Sequence, residues 1–561
     1  MTHILTTEDG VAAVSDRTIR LRFGDELVIG VRQSSEEHER ILREDREFLH
    51  KLGYAQELLR EMGGFSNFAL SFSIISILTG TVLLYGYGLK YGGPLINTLG
   101  WPIVSAFVLC VAASMAEIAS VYPTAGGLYY WSFRMGGRGI AWLCAWLNLI
   151  GQITITAGIN IGAAIYLTGL VTDALNIPAD ASVPLLGAIN GWNFWLAVMF
   201  ALMVPQVIIN IRGVKLVALL SEFSVVWHIA GVAILALLLT FAGRYHNGWS
   251  FLLSTVHPAA PADGVMTFAI GPLTVPSLMM RLPGMKALYG SGLYAFSFVL
   301  GLLQAQWTYT GYDASAHMAE ETYLARMNSA WGVFLSVAVS AVAGYVALLV
   351  LTNAIAPGQV AATAADPYPV LYIARHALAP FFANVVAVII AGAMWLCGLT
   401  SVTSMARMCF AFARDRGIPG WKIAGRIDPR WSTPAGAIVI TSALAFLATV
   451  YSAAYSVITS MSTTSLYLAN VIPIFLNWRN RRRRRGEYTD RASAPWNLGR
   501  YSAAVNLIAI AWIVFITVLF SIPPNELAGL TMIAVALALL FYWRVSQRHR
   551  FAGPVGVARP E

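Results

Sequence analysis

Two stretches decide how this chain folds: Ser66-Asn-Phe-Ala-Leu-Ser-Phe-Ser-Ile-Ile-Ser-Ile-Leu-Thr79-Gly80 and Gln306-Trp307-Thr308-Tyr309-Thr310-Gly311-Tyr312-Asp313. Each sets a Thr-Gly pair, flanked by polar residues, near the middle of an otherwise apolar run. In hydrocarbon an interrupted helix leaves backbone N–H and C=O groups without partners, at several kcal/mol each. Such a break is tolerated where a cavity, an ion or a bound molecule completes the bonding. Paired interruptions in corresponding segments of two halves point to a transport site at the interface between repeats. A single Gly could equally serve close helix packing; two, each preceded by Thr, favour the broken-helix reading.

The rest of the chain agrees with a lipid setting. Of 561 residues, 57% are apolar and only 12% are charged. A soluble globular protein carries about twice that charge, and the mean hydropathy of +0.64 points the same way. The apolar runs predict twelve helices, at roughly 66–88, 95–119, 138–171, 192–211, 215–242, 293–320, 327–352, 380–413, 434–452, 455–478, 501–522 and 525–546. The fold class is thus an all-α membrane protein. Its expected parts are a 1–64 tail, a 65–478 ten-helix core with halves at 65–242 and 293–478, and a 243–292 outer loop. A basic 479–500 loop, two further helices over 501–546 and a 547–561 tail complete it. The 123–135 stretch reads as a short amphipathic helix at the interface.

Charge supplies the orientation. With an inner N-terminus, inside segments hold 32 Lys/Arg and outside segments 5, as the positive-inside rule requires. Both termini then face the cytoplasm, across a cytoplasmic (inner) membrane. The net charge of +9 therefore reads as topology, and the run Arg481–Arg485 as an anchor on anionic lipid rather than a nucleic-acid patch. The first 64 residues hold 9 Lys/Arg and 13 Asp/Glu, too polar an opening for a cleavable leader. Within them, Thr18–Arg22 and Leu27–Arg32 could pair as a hairpin, and Glu36–Arg60 has helical spacing suited to a membrane face. The four cysteines, all in apolar segments, read as small core residues.

Few acids lie near the membrane. Asp313 beside the second interruption reads either as a partner for a substrate amine or a proton, or as a link to a neighbouring helix. Glu222 and His228 lie six apart on one helix, and His228 is a candidate coupling group because imidazole titrates in the working range. It could also be a packing histidine, and Glu222 an interface anchor. Glu117 reads as structural, capping backbone or pairing with Arg134 or Arg138. Glu320 and Glu321 are candidates for an inner gate with Arg407 or Arg414.

The sequence resembles the amino acid–polyamine–organocation superfamily, and within it the amino acid/choline transporter branch that includes the γ-aminobutyrate permeases. Four stretches carry the likeness: Ser66–Gly80; Glu117 with Ala119-Ser-Val-Tyr-Pro-Thr-Ala-Gly-Gly-Leu-Tyr-Tyr-Trp131; Gln306–Glu321; and Pro495-Trp-Asn-Leu-Gly-Arg500. The resemblance implies a 5+5 inverted repeat (the leucine-transporter type) with helices 1 and 6 broken, plus two extra helices. It implies alternating access by a secondary active transporter that carries amino acids or related amines such as γ-aminobutyrate, coupled to a proton ahead of sodium. On this pattern Thr79 and Gly80 match the substrate-carboxylate element, Trp307 an aromatic lid, Gly311 the unwound Gly, and Asp313 the acid that follows. The substrate-binding candidates are Ser76, Thr79, Gly80, Trp307, Tyr309, Thr310 and Gly311. The superfamily often places a Gly before the first pair, where this chain has Leu78, so a tighter carboxylate loop is expected.

The partners implied are a small amino acid or amine, a coupling ion and lipid, with no cofactor, metal or nucleic acid. Hydroxyls at Thr400, Ser401, Thr403 and Ser404 keep sodium open. Trp307, Tyr309 and Tyr312 could cage a quaternary ammonium, which keeps a choline or polyamine carrier as the alternative. A channel would need a continuous polar pore face. An enzyme would need a catalytic constellation, and neither that nor a nucleotide motif is present.

Overall fold

A computed structural model of the chain describes residues 3–7, 10–15, 18–20, 35–178, 181–255, 266–270, 273–451, 455–482 and 494–554. Among them, ten helices are long and apolar enough to cross a membrane. The count is eleven if the bent pair Pro283–Gly290 and Tyr294–Thr308 forms one span. The helix at Ala435–Tyr451 is the expected segment that falls short of full length.

The helices follow the apolar runs. A tail helix, α1 (Ser35–Lys51), precedes the first interrupted span, built from α2 (Gly64–Ile75), α3 (Ile77–Leu83) and α4 (Tyr85–Gly92). Then come α5 (Trp101–Val121), α6 (Leu128–Gly136), α7 (Arg138–Ala174), α8 (Trp192–Arg212) and α9 (Val214–Leu237). Next come α10 (Trp249–Leu252), a hairpin of Thr267–Ile270 with Leu273–Pro276, and α11 (Pro283–Gly290), so the 243–292 loop carries structure of its own. The second interrupted span comprises α12 (Tyr294–Gly301), α13 (Leu303–Thr308) and α14 (Ala314–His317). After it come α15 (Ala325–Asn353), the short α16 (Val360–Ala365) and α17 (Pro369–Ala377), α18 (Pro380–Arg414), α19 (Trp421–Ala424), α20 (Ala435–Tyr451) and α21 (Tyr455–Arg482). Two final helices are α22 (Ser502–Leu519) and α23 (Glu526–Tyr542).

Packing sorts these helices into a core and a lipid-facing shell. The α8 and α9 helices expose Phe200, Val204, Ile208, Leu219, Phe223 and Val226. In water such a belt would be an aggregation surface; against acyl chains it is the matching solvent. In contrast α7 and α18 bury most of their length, and their buried faces carry many Thr, Ser, Asn and Gly residues. Small residues and interhelical hydrogen bonds suit a bundle with no hydrophobic drive between helices. Helices from the two halves pack on each other in order: α5 on α15, α7 on α18, and α8 on α20. The two interrupted spans cross in opposite senses, with α2 against α14 and α3 against α13.

Two local expectations change. The 128–136 helix is not a surface element: Leu128, Tyr129, Tyr130, Trp131 and Phe133 are buried, because the bundle closes over that aromatic run. The tail does more than lie on a membrane face, since Ile41, Leu49, Leu52 and Leu58 are buried beneath the helices. In the N-terminal sheet, Thr18–Arg20 pairs with Ala13–Ser15; the other strand of the expected hairpin, 27–32, lies outside the described residues. Of the run Arg481–Arg485, Arg481 and Arg482 are described and 483–485 are not. Three of the four cysteines are buried, Cys110 is half-buried, and all are free thiols.

Candidate functional site

The first span breaks at Ser76, three residues before the expected Thr-Gly pair. Ser76 takes a left-handed backbone conformation with φ 33°, which costs a non-glycine residue strain and is held by what surrounds it. The break does not leave Thr79 and Gly80 with free amides: both donate to the Ser76 carbonyl, each at 2.9 Å. The leading amides of the new half-helix belong to Ile77 and Leu78. The Ser76 hydroxyl makes no cap bond to the backbone and instead meets the side chains of Thr79 and His228. Glycine at position 80 instead serves close approach, because a Cβ there would lie 2.5 Å from the Thr308 hydroxyl oxygen.

The second span unwinds from Tyr309 to Asp313. Gly311 sits at φ 101°, and a Cβ on it would overlap Ile74. Asn67 Nδ2 donates to the Ser315 carbonyl at 3.0 Å, and the Ser71 hydroxyl donates to the Tyr312 carbonyl at 3.0 Å. The two breaks are thereby stitched side by side.

Between them lies a tight cavity, with space for about one water, lined by Ile74, Ile75, Thr79, Gly80, Ile155, Ile159, Trp307, Thr308, Thr310 and Cys397. Its walls are apolar with three hydroxyls, and none of the lining side chains is charged. Of the sequence-derived candidates, Thr79, Gly80, Trp307 and Thr310 line it. Ser76 stands behind Thr79, and Gly311 supports Ile74. Tyr309 is turned away, packed at a tilt against Trp101 with ring centroids 4.7 Å apart and bonded to Ser105 at 2.5 Å. The Tyr312 hydroxyl accepts from Asn470 Nδ2 at 2.9 Å. The three aromatics therefore do not assemble into a cage. Trp307 is fixed by its indole N–H donating to Ser462 at 3.0 Å.

Behind the cavity wall runs a short polar chain. The Ser76 hydroxyl is 2.6 Å from Thr79 Oγ1 and 2.7 Å from His228 Nε2. His228 Nδ1 lies 2.7 Å from the Ser224 carbonyl, so that nitrogen carries a hydrogen. Ser76 has one proton to give. It goes to Nε2 when His228 is neutral, and to Thr79 when Nε2 is protonated and donates to Ser76. Glu222 sits apart, accepting from the Ser66 hydroxyl near the start of α2.

Asp313 does not face the cavity. Its Oδ2 accepts from Asn148 at 2.9 Å and Gln152 at 3.0 Å, both on α7, and lies 3.3 Å from His317 Nε2. Sequence reading passed over His317, although its spacing of four from Asp313 within a helical turn was visible.

Below, Arg407 grips Glu321 through two bonds of 2.9 and 3.2 Å, and Arg414 grips Glu320 through two of 3.0 Å. These pairs join the end of the second broken span to α18. Glu117 accepts from the Ser502 hydroxyl at 2.6 Å and the Leu498 amide at 3.2 Å, with Arg481 at 3.7 Å as its ion-pair partner where Arg134 or Arg138 was expected. The reason is the 495–500 motif, which folds back under α5 and brings Arg481 with it. On α18, Ser401 bonds Thr156 at 2.7 Å and Thr403 donates to Asn210 at 2.7 Å, so two of the four hydroxyls are engaged between helices.

Two broken helices crossing at an uncharged cavity, inside a bundle of apolar helices, define a multi-pass membrane transporter. The chain belongs to the amino acid permease family, within the amino acid–polyamine–organocation superfamily: the family model described as "Amino acid permease" matches residues 62–543. It is 32% identical over 542 residues to "Amino-acid permease BAT1" of Arabidopsis thaliana, covering 90% of this chain and 95% of that protein. Its identity to the BAT1 homolog of Oryza sativa subsp. japonica is 30% over 542 residues, with the same coverage of 90% and 95%. An uncharacterized amino-acid permease of Schizosaccharomyces pombe, C74.04, is 25% identical over 527 residues, covering 91% of this chain and 87% of that protein. The chain is an amino acid transporter and not an enzyme.

Proposed function

We propose that this permease works by alternating access and carries a small zwitterionic amino acid, γ-aminobutyrate among those to be tested, in symport with a proton. One observation carries the reading: a cavity without a charged side chain, set between two helix breaks. A zwitterion has both charges to satisfy there. Its carboxylate is placed at the Ser76–Thr79 end, by the Thr79 hydroxyl and the start of a half-helix. Its ammonium is placed at the carbonyls of the unwound 309–311 segment. A choline or polyamine cation would bring positive charge with no acid facing it, because Asp313 is turned into its own network.

The repeat reading gains support from order. Each of α5, α7 and α8 packs on its counterpart in the second half, and the two broken spans cross in opposite senses. That is what a two-fold axis in the membrane plane produces. It supports the 5+5 inverted repeat as the arrangement of the core.

Proton coupling would run through His228. With Nε2 protonated, the chain His228–Ser76–Thr79 turns the hydrogen of Thr79 toward the cavity and favours a carboxylate. With His228 neutral, Ser76 donates backward and Thr79 loses that alignment. Uptake into proteoliposomes of γ-aminobutyrate, common amino acids, polyamines and choline tests both parts, under a proton gradient, a sodium gradient or neither. Accumulation of a zwitterion on the proton gradient alone is the expected outcome. Preferential uptake of choline or polyamines would overturn the substrate reading, and sodium dependence would overturn the coupling.

A further inference from the structure

Beneath the cavity, His317 is placed so that both of its ring nitrogens face acceptors. Nδ1 lies 3.2 Å from the Ala125 carbonyl, which can only accept, so Nδ1 carries a hydrogen. Nε2 lies 3.3 Å from Asp313 Oδ2. Two amides on α7, those of Asn148 and Gln152, already donate to that oxygen. Without a hydrogen between Nε2 and Oδ2, a ring lone pair would face a carboxylate lone pair in a fully buried site. The arrangement therefore holds one removable proton, which belongs to the pair rather than to either residue.

The same peptide that His317 holds leads to the gate. The Ala125 amide donates to Glu320 Oε1 at 3.0 Å, and Glu320 is clamped by Arg414. A continuous line thus runs from the second break, through Asp313, His317 and the Ala125 turn, to the ion pairs that close the tail-side face. Gly127 in the same turn sits at φ 40°, a backbone conformation that favours glycine.

We infer that the Asp313–His317 pair is a buried proton-binding site that locks the tail-side gate when occupied and releases it when empty. The inference rests on the transporter reading above, and it is separate from His228. Losing the proton sets two lone pairs against each other, drives His317 off Asp313, and frees the Ala125 turn that Glu320 shares. By linkage, the closed form binds the proton more tightly than the open form. The other titratable groups around the pair are accounted for. Tyr312 beside it accepts from Asn470, and Tyr467 faces Tyr312 from α21 with ring centroids 6.4 Å apart. Arg407 from α18 is committed to Glu321, while Tyr129 of α6 donates to Asp415 at 3.0 Å. From α6, Tyr130 donates to the Leu52 carbonyl at 2.7 Å, and Arg134 stands at the far end of that helix. From α15, Arg326 donates to the Ser120 carbonyl at 3.1 Å and Tyr345 to the Thr98 carbonyl at 3.1 Å.

Cys397 provides the readout, because its thiol lines the cavity and is buried while the gate is shut. The full-length chain carrying Cys110→Ser, Cys144→Ser and Cys409→Ser is reacted with a water-soluble maleimide from about pH 5.5 to about pH 8.5. The same is done with His317→Gln added, which keeps an N–H toward Asp313 and does not titrate. Taking the ratio of the two rates cancels the thiol's own ionisation. The expected ratio rises with pH, by at most about tenfold per unit, the limit for one linked proton. Asp313→Asn lets a neutral His317 accept from the new amide; its rates should follow those of His317→Gln, and it replaces that variant if His317→Gln does not fold. A ratio flat with pH, or variants that keep the parent slope, overturns the proposal. Protection of Cys397 by an amino acid at fixed pH tests the cavity separately. Protection without a pH slope sinks only the proton site; a slope without protection sinks the substrate reading.

Discussion

Gly311 and Ile74 meet where the two broken spans cross, so closely that any β-carbon on Gly311 would overlap the Ile74 side chain. Backbone and packing demand glycine together, because φ is 101° there. Gly311→Ala should therefore lower stability by about 1–3 kcal/mol from conformational strain alone, before the clash is counted. Uptake should fall more than stability does, since Ile74 lines the cavity and must move. Proteoliposome uptake paired with a thermal-shift measurement checks this. Normal uptake by well-folded Gly311→Leu would remove the broken-helix account of the site.

Arg407 and Glu321 are both fully buried and are joined through two hydrogen bonds. Removing one partner strands a charge, at about 3–5 kcal/mol. Arg407→Met or Glu321→Leu alone should then unfold the protein or hold the gate open. The double variant should recover most of the lost stability, since a buried pair replaced by apolar groups is often close to neutral. A double-mutant cycle on melting temperature reads this directly. Additive losses would mean that the two side chains do not act as a pair.

Much of this fold was legible because lipid constrains sequence so strongly. Apolar runs located the helices, and the Thr-Gly pairs located both breaks to within a turn. What sequence could not reveal was direction. Asp313 was visible as a buried acid, but only structure shows it turned to Asn148, Gln152 and His317 rather than to the cavity. Ser76 was among the sequence candidates, but that it forms the break and stands behind Thr79 came from a left-handed backbone conformation that no periodicity signals. The pairing of Glu117 with Arg481 depends on 363 residues of intervening chain folding back. Local spacing had pointed instead to the nearer Arg134 and Arg138.

The tail offers a test outside the membrane. Residues 60–62 form a strap beneath the second broken span: the amides of Glu61 and Met62 both donate to the Glu321 carbonyl, at 3.0 and 2.9 Å. Arg60 donates to the carbonyls of Ala319 and Thr322 and lies 3.6 Å from Asp45. Burial raises the Asp45 carboxyl above its ordinary value, although Arg60 and the Leu324 amide pull the other way. An acid with a raised value in the folded state stabilises docking when protonated, and that contribution is lost as pH rises through the raised value. Arg60→Met removes the opposing charge and should make tail docking weaken more steeply with rising pH. Adding Asp45→Asn should abolish that pH dependence. Hydrogen exchange at Glu61 and Met62 measures docking; protection independent of pH in Arg60→Met would contradict the argument.

His228 reaches the cavity only through Ser76 and Thr79, so each link has its own signature. His228→Gln can keep a bond to Ser76 but cannot titrate; uptake should persist at reduced rate and lose its dependence on the proton gradient. Ser76→Ala cuts the chain and strains the break less than a larger residue would. It should raise KM for the amino acid by roughly tenfold, the value of one charge-assisted hydrogen bond of about 1.5 kcal/mol. Thr79→Val keeps the shape and removes the hydroxyl that meets the carboxylate, so it should match Ser76→Ala in KM and not worsen it when combined. The combination is the decisive measurement. Equal single and double losses mean one chain acting as a unit, whereas multiplied losses would show that Ser76 and Thr79 serve separate purposes and would disconnect His228 from the substrate.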